Sequence, residues 1–209
     1  GTLALTGVNV AVTDAGATDL GASTVSGTLG ITSAGAVTDS GTLAVTGATT
    51  ISASGQDITL DQAASTFGTL ALTGVNVAVS ENAATDLGAS TVSGTFAITS
   101  GGAITDSGTQ AITGDATFTN TAGTDDAITL DDASNAFGGT VTFATDSGSA
   151  VTIVDTTALD LKALTAASLS ATSGGAVTDS GTLAIAGATT ISASGQDITL
   201  DQAASTFGT

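Results

Sequence analysis

Apolar residues along this chain come in short alternating runs: Leu3 and Leu5 around Ala4, Val8, Val10 and Val12 around Asn9 and Ala11, Ile58 and Leu60 around Thr59. A period of two sends successive side chains to opposite faces of an extended backbone. Each run therefore predicts a strand of four or five residues with one face inward, and the runs stop at Gly, Asp, Ser or Asn, the residues that make turns. Ala is plentiful, but it is interleaved with Thr, Val and Gly, and too little Glu, Lys, Arg and Gln is present to build the solvated face of a helix. The chain is read as all-β.

The runs also recur in a long register. GTLALTGVNVAV at 1–12 returns unchanged at 68–79, and ATDLGASTVSGT at 17–28 returns at 84–95, both displaced by 67 residues. Residues 36–69 return at 176–209, displaced by 140, with two changes, and Phe67, Phe137 and Phe207 mark unit ends at a spacing of 70. This divides the chain into units 1–67, 68–137 and 138–207, with 208–209 opening a fourth, all in one continuous solenoid. A sandwich or barrel would need longer strands and bulkier residues to fill its core. A coil stacked on near-copies of itself needs only a thin line of Val, Leu and Ile. Dividing a unit by three gives roughly 22–23 residues per coil and about nine coils of a parallel β-helix, a rod of about 43 Å at the spacing of paired strands. Its inward residues are expected to include Val8, Val10, Leu43, Ile58, Leu60, Ile128, Leu130, Ile198 and Leu200.

Composition narrows the function. The 209 residues include no His, Cys, Met, Trp, Tyr or Pro, and Lys162 is the single basic residue against 19 acids, a net charge of -18. Most catalytic apparatus is missing, so no enzyme and no cofactor are expected. Such a chain lacks the cations that release counterions from nucleic acid, and anionic lipid would repel it; neither nucleic acid nor a membrane is an expected partner. No run approaches the roughly 18 apolar residues of a spanning helix. The opening Gly-Thr-Leu reads as the interior of a longer chain, so both ends are expected to pair with further β-structure, as adjacent repeats or as further copies end to end.

Four features invite chemistry. Asp57 and Asp61 bracket a strand, and the pair returns at Asp197 and Asp201; paired carboxylates can cleave a glycosidic bond, but Asp also ends strands by capping turn amides, and a copied pair is not a unique active site. Asp125 and Asp126 lie close in sequence to Asp131 and Asp132, weak candidates for Ca²⁺, which takes six to eight oxygens; the plainer reading is a solvated acidic corner. Equivalent aspartates such as Asp61, Asp131 and Asp201 recur once per unit and would sit about three coils apart. Lys162 replaces a corner glycine, and the stretch 143–171 matches the other units least, which makes it the place for ligand contacts if the chain is a binding module.

The phrases DITLDQAASTFGTLALTGVNVAV at 57–79 and STVSGTFAITSGGAITDSGTQAITG at 90–114 resemble the tandem β-strand repeats of very large filamentous-haemagglutinin-like bacterial surface proteins. The resemblance spans essentially the whole chain. It implies a right-handed parallel β-helix, secretion through an outer-membrane pore, and an adhesin-like, extracellular or cell-surface fibre or stalk. The absence of Cys suits export of an unfolded chain.

Overall fold

The structure, a computed structural model, describes residues 1–121, 126–145 and 147–208. Among these every regular element is a strand, and every strand pairing is parallel. Thr2 pairs with Asp19, Asp19 with Thr38 and Thr38 with Thr59, offsets of 17, 19 and 21 residues. Strands on one side continue in this way to Thr199, eleven in all and ten steps from coil to coil. The protein is thus a parallel β-solenoid of about ten coils of about 20 residues, a rod near 48 Å long at the usual strand spacing. The expected nine coils of 22–23 residues are too few and too long.

The reason lies in how a unit maps onto coils. Each coil alternates one longer strand, such as Leu29–Ser33, with a stretch of two short strands, such as Val37–Asp39 and Leu43–Val45. Within the first unit longer strands stack on one another, Val10–Asp14 under Leu29–Ser33 under Thr49–Ser52. At the unit boundary the pattern crosses over. Thr69–Gly74, the copy of Thr2–Gly7, stacks on the longer strand Thr49–Ser52, and the longer strand Val77–Glu81 stacks on the short strand Ile58–Leu60. The copy of Val10–Asp14 therefore lies in the opposite sheet. A displacement of 67 residues corresponds to about three and a half coils, and one of 140 to about seven, which returns Val177–Asp179 to the sheet that holds Val37–Asp39. Dividing a unit by three assumed a whole number of coils, and the unit holds a half-integral one.

Inside runs a narrow apolar column. Leu43, Ile58, Leu60, Ile128 and Leu130 are fully buried, as expected, and Val10 and Leu200 are partly covered. Two expectations fail. Val8 is 66% exposed because the alternation that runs through it is interrupted by a corner at Val8-Asn9, and Ile198, in the last coil described, is 46% exposed. The bulkiest packing lies where the second unit meets the third: Phe118 meets Phe96 and Phe137 edge to face at 5.9 and 6.1 Å and stacks on Phe143 at 5.8 Å.

Glycine columns let coils close at the corners. A Cβ on Gly47 would stand 2.6 Å from the carbonyl oxygen of Gly27, and one on Gly114 would stand 2.5 Å from that of Gly94. The requirement there is close approach of backbones. Gly55, with φ of 76°, is different: it closes a tight turn in the left-handed region.

Candidate functional site

Where the chain turns a corner, amides leave the inter-coil ladder, and an unpaired buried N–H is costly. Buried side chains supply the acceptors. The Ser65 hydroxyl takes the Leu43 N–H at 3.0 Å, Ser90 takes Leu72 at 3.1 Å, and the Asn135 side chain takes Gln110 at 2.7 Å. Carboxylates do the same. Asp39 accepts from the Asp61 N–H at 2.8 Å and Asp179 from the Asp201 N–H at 2.9 Å. Asp106 accepts from the Asp131 N–H at 2.9 Å and from the Asn135 side chain.

Two further buried acids sit at unit boundaries. Glu81, 4% exposed, accepts from the Phe67 N–H at 3.1 Å, and Asp155, 1% exposed, accepts from the Phe137 N–H at 3.2 Å. Each closes the last residues of one unit onto the first longer strand of the next. Burial pushes the Glu81 carboxyl up to about 7, against the opposing pull of the Thr85 hydroxyl and the Phe67 amide. Burial likewise raises Asp39, Asp106 and Asp155.

Sequence reasoning missed these inward acids, although a signal was present. The alternation that turns Val37 inward and Thr38 outward also turns Asp39 inward, and Val177, Thr178 and Asp179 repeat it.

The expected site residues have other work. Asp57 and Asp61 are exposed: the Asp57 carboxylate accepts from the N–H and side chain of Asn76, both at 3.0 Å, and Asp61 accepts from the Gln62 side chain at 3.3 Å. Asp197 and Asp201 repeat this exposed placement on the terminal coil. Asp125 lies outside the described residues. Of its companions, Asp132 accepts the Thr109 hydroxyl at 3.1 Å and the Ser134 N–H at 2.9 Å, Asp131 is exposed, and the Asp126 carbonyl accepts from the Asn120 side chain at 3.0 Å. Among the described residues no three acidic side chains are grouped as a metal would require. Asp131 also lies in the sheet opposite Asp61, not three coils above it, because the unit boundary crosses over.

Lys162 is exposed beside an irregularity in pairing: Val141 pairs with Leu161 but Phe143 with Leu164, so one extra residue is looped out. The Asp115 carboxyl is held below its ordinary value, chiefly by hydrogen bonding from Thr140 and lastly by the Lys162 charge. Within 143–171 the surface offers a shallow groove of about 400 Å³ bordered by Thr142, Thr145, Ala163, Thr165 and Ala184, with neither a charge nor an exposed aromatic ring to grip a ligand.

The last coil presents Ile191, Ile198, Leu200 and Phe207 around an apolar hollow of about 350 Å³, and the first presents partly covered Leu3, Leu5, Val10 and Val12. A family model of repeats of unknown function (DUF5649) matches the chain three times in succession, at residues 7–73, 74–144 and 148–209. No curated protein and no solved structure matches the chain.

Proposed function

The chain belongs to this family of repeats, and from that premise we propose that it is a spacer: a structural segment of a long fibre or stalk outside a bacterial cell, adhesin-like in build, whose work is to span distance. The observation that carries the reading is the half-coil crossover. Equivalent sequence faces opposite sides in consecutive units, as Val10–Asp14 (VAVTD) and Val77–Glu81 (VAVSE) do. No outward feature of the shared repeat is then presented on one side at every unit, while every unit adds the same length.

Buried Ser65, Ser90, Asn135, Asp39, Glu81 and Asp155 support this reading, since each accepts a backbone amide from a neighbouring coil. The resemblance to filamentous-haemagglutinin-like repeats supports the extracellular placement, and an acidic surface with one Lys offers few sites to proteases that cut after basic residues. Catalysis, a resident cofactor, nucleic-acid binding and membrane insertion form no part of this function. Its partners are further β-coils, in the same chain or in another copy.

The test is dimensional. Chains of two, three and six units are compared by small-angle scattering and electron microscopy. Maximum dimension should grow by about 17 Å per unit, three and a half coils at the parallel strand spacing, at constant cross-section. A compact particle whose length does not follow unit number would refute the spacer reading.

A further inference from the structure

Three departures from the repeat meet on one face of the rod. Asp115 stands where the other units have Ala48 and Ala188, Gly139 is inserted beside Gly138 where they have Gly68 and Gly208 alone, and Lys162 replaces Gly21 and Gly88. Strand pairing brings these distant positions to consecutive coils. Ala116 pairs with Val141 and Thr140 with Asp160, so Asp115, Thr140 and Asp160 form one column along the rod. Lys162 projects outward from the same strand as Asp160, two residues on. Beside the column lies an open groove of about 370 Å³, lined by Asp115, Gly139, Thr140, Asp160, Ala176 and Thr178 among others. Its volume is at the small end of the roughly 300–1,000 Å³ of small-molecule sites.

In the first two units the corresponding aspartate is already occupied. The hydroxyls of Thr2 and Ser40 donate to Asp19 at 2.6 and 3.1 Å, and those of Thr69 and Ser107 donate to Asp86, both at 2.9 Å. Asp160 is the third-unit counterpart of these acids, and Thr140 is the counterpart of Thr2 and Thr69. Thr140 serves Asp115 instead: its N–H donates to that carboxylate at 2.9 Å, and its side chain bonds the same group. Oδ1 of Asp160 is left with no hydrogen-bond partner. A residue found in one unit alone thus draws off the usual donor, and the wall of the groove holds an unanswered carboxylate where the repeat has a satisfied one.

We propose that this groove binds a neutral saccharide, whose hydroxyls donate to Asp160 and Asp115. A site rich in acceptors selects a ligand rich in donors. An anion is repelled by both carboxylates and by a chain of net charge -18. A metal ion would need more oxygens than two separated carboxylates supply, and it would meet the Lys162 ammonium, whose charge already bears on Asp115. A sugar suits all of these groups. Hydroxyls on adjacent carbons match the two oxygens of one carboxylate, the Lys162 ammonium donates to a further hydroxyl, and the C–H face of the ring lies over Gly139 and Ala176. The site stands apart from the spacer reading, since a rod that spans distance can carry one contact point on its side.

Amide NMR of the chain, titrated with cellotriose, maltotriose and mannotriose at millimolar concentrations, tests the site. At least one of these sugars should shift the amides of 138–140, 158–162 and 176–178 and leave the opposite sheet unmoved. Asp115→Ala installs the residue that the other units carry at this position, so the fold is kept, which the unshifted remainder of the spectrum reports. It returns the Thr140 hydroxyl to Asp160 and should weaken the sugar about tenfold or more, the worth of one hydrogen bond to a charged group. Asp86→Ala, which removes an aspartate already satisfied, should leave the affinity unchanged. No response to any of the sugars, an equal response from Asp115→Ala, or shifts of these amides by calcium and not by sugar would overturn the site. None of these results touches the growth of length with unit number, so the spacer reading stands or falls separately.

Discussion

Glu81 makes the solenoid's stability depend on pH in an unusual direction. Its carboxyl is shut between two units, accepts the Phe67 N–H, and titrates near 7 when folded against 4.5 for the free side chain. Because the folded value is the higher, the folded chain holds this proton more tightly than the unfolded chain does. Stability is then fullest below about pH 4.5, falls as pH rises through about 7, and levels off above it. At 1.36 kcal/mol per pH unit of separation, the loss attributable to this one group is about 3 kcal/mol. Burial raises Asp39, Asp106 and Asp155 in the same sense, and repulsion within a chain of net charge -18 adds to it.

Glu81→Gln isolates the contribution. The glutamine carbonyl can still accept from Phe67, but it never ionises. Urea unfolding midpoints followed by circular dichroism between pH 4.5 and 8 should fall for both proteins, and more steeply for the wild type. The two curves should separate by about 3 kcal/mol at the alkaline end. General charge repulsion is nearly common to both, so the difference curve reports the boundary acid. Parallel curves, or a wild type that gains on the variant as pH rises, would refute the argument.

Four further outcomes follow from the packing. Leu130→Asp puts a carboxyl into a fully buried position and should cost several kcal/mol or force the acid to stay protonated; unchanged circular dichroism and melting would mean that Leu130 does not face the core. Phe118→Ala empties the centre of the four-ring cluster and should cost about 3–5 kcal/mol, read as a lower melting temperature, with Phe118→Leu losing less. Gly114→Ala places a Cβ against the Gly94 backbone and should cost about 1–3 kcal/mol, whereas an exposed Ala-to-Ser change at Ala163 should be neutral in the same melt. Calcium at micromolar levels should leave the melting temperature unmoved, because Asp132 is engaged in its own turn and Asp106 caps the Asp131 amide; a rise reversed by chelator would contradict this.

Strand, face and class were legible in the residues because period-two alternation reports burial directly, and Ile58-Thr59-Leu60 and Ile128-Thr129-Leu130 take the faces their pattern predicts. Corners were less legible. Val8-Asn9-Val10 looks like uninterrupted alternation, yet the chain turns between the two valines, and hydropathy alone carries no mark of a corner that lacks Gly at its centre. The coil length was hidden for a different reason: sequence identity reports the repeat of the unit, while the coil is set by the perimeter that lets Thr38 meet Thr59 and Thr59 meet Ala78. These two periods need not be commensurate. The inward acids stand in the alternation pattern and went unread; corner amides that need an acceptor give a carboxyl a reason to lie inward.

The mismatch between unit and coil also bears on function. Had the unit spanned whole coils, each aspartate pair and threonine would have lined up on one face every unit, building a row that could grow into a ligand-binding or lattice-matching surface. With a half-integral unit the copies alternate. Asp61 and Asp201 share a side only after about seven coils, near 34 Å apart, too far for one small ligand and well beyond the Debye length at physiological salt. On the spacer reading, what the units supply in common is length and an acidic surface on both faces. Glu81 and Asp155 each tie the last residues of one unit to the next through a buried carboxyl, beside the strand pairs that cross the same boundary.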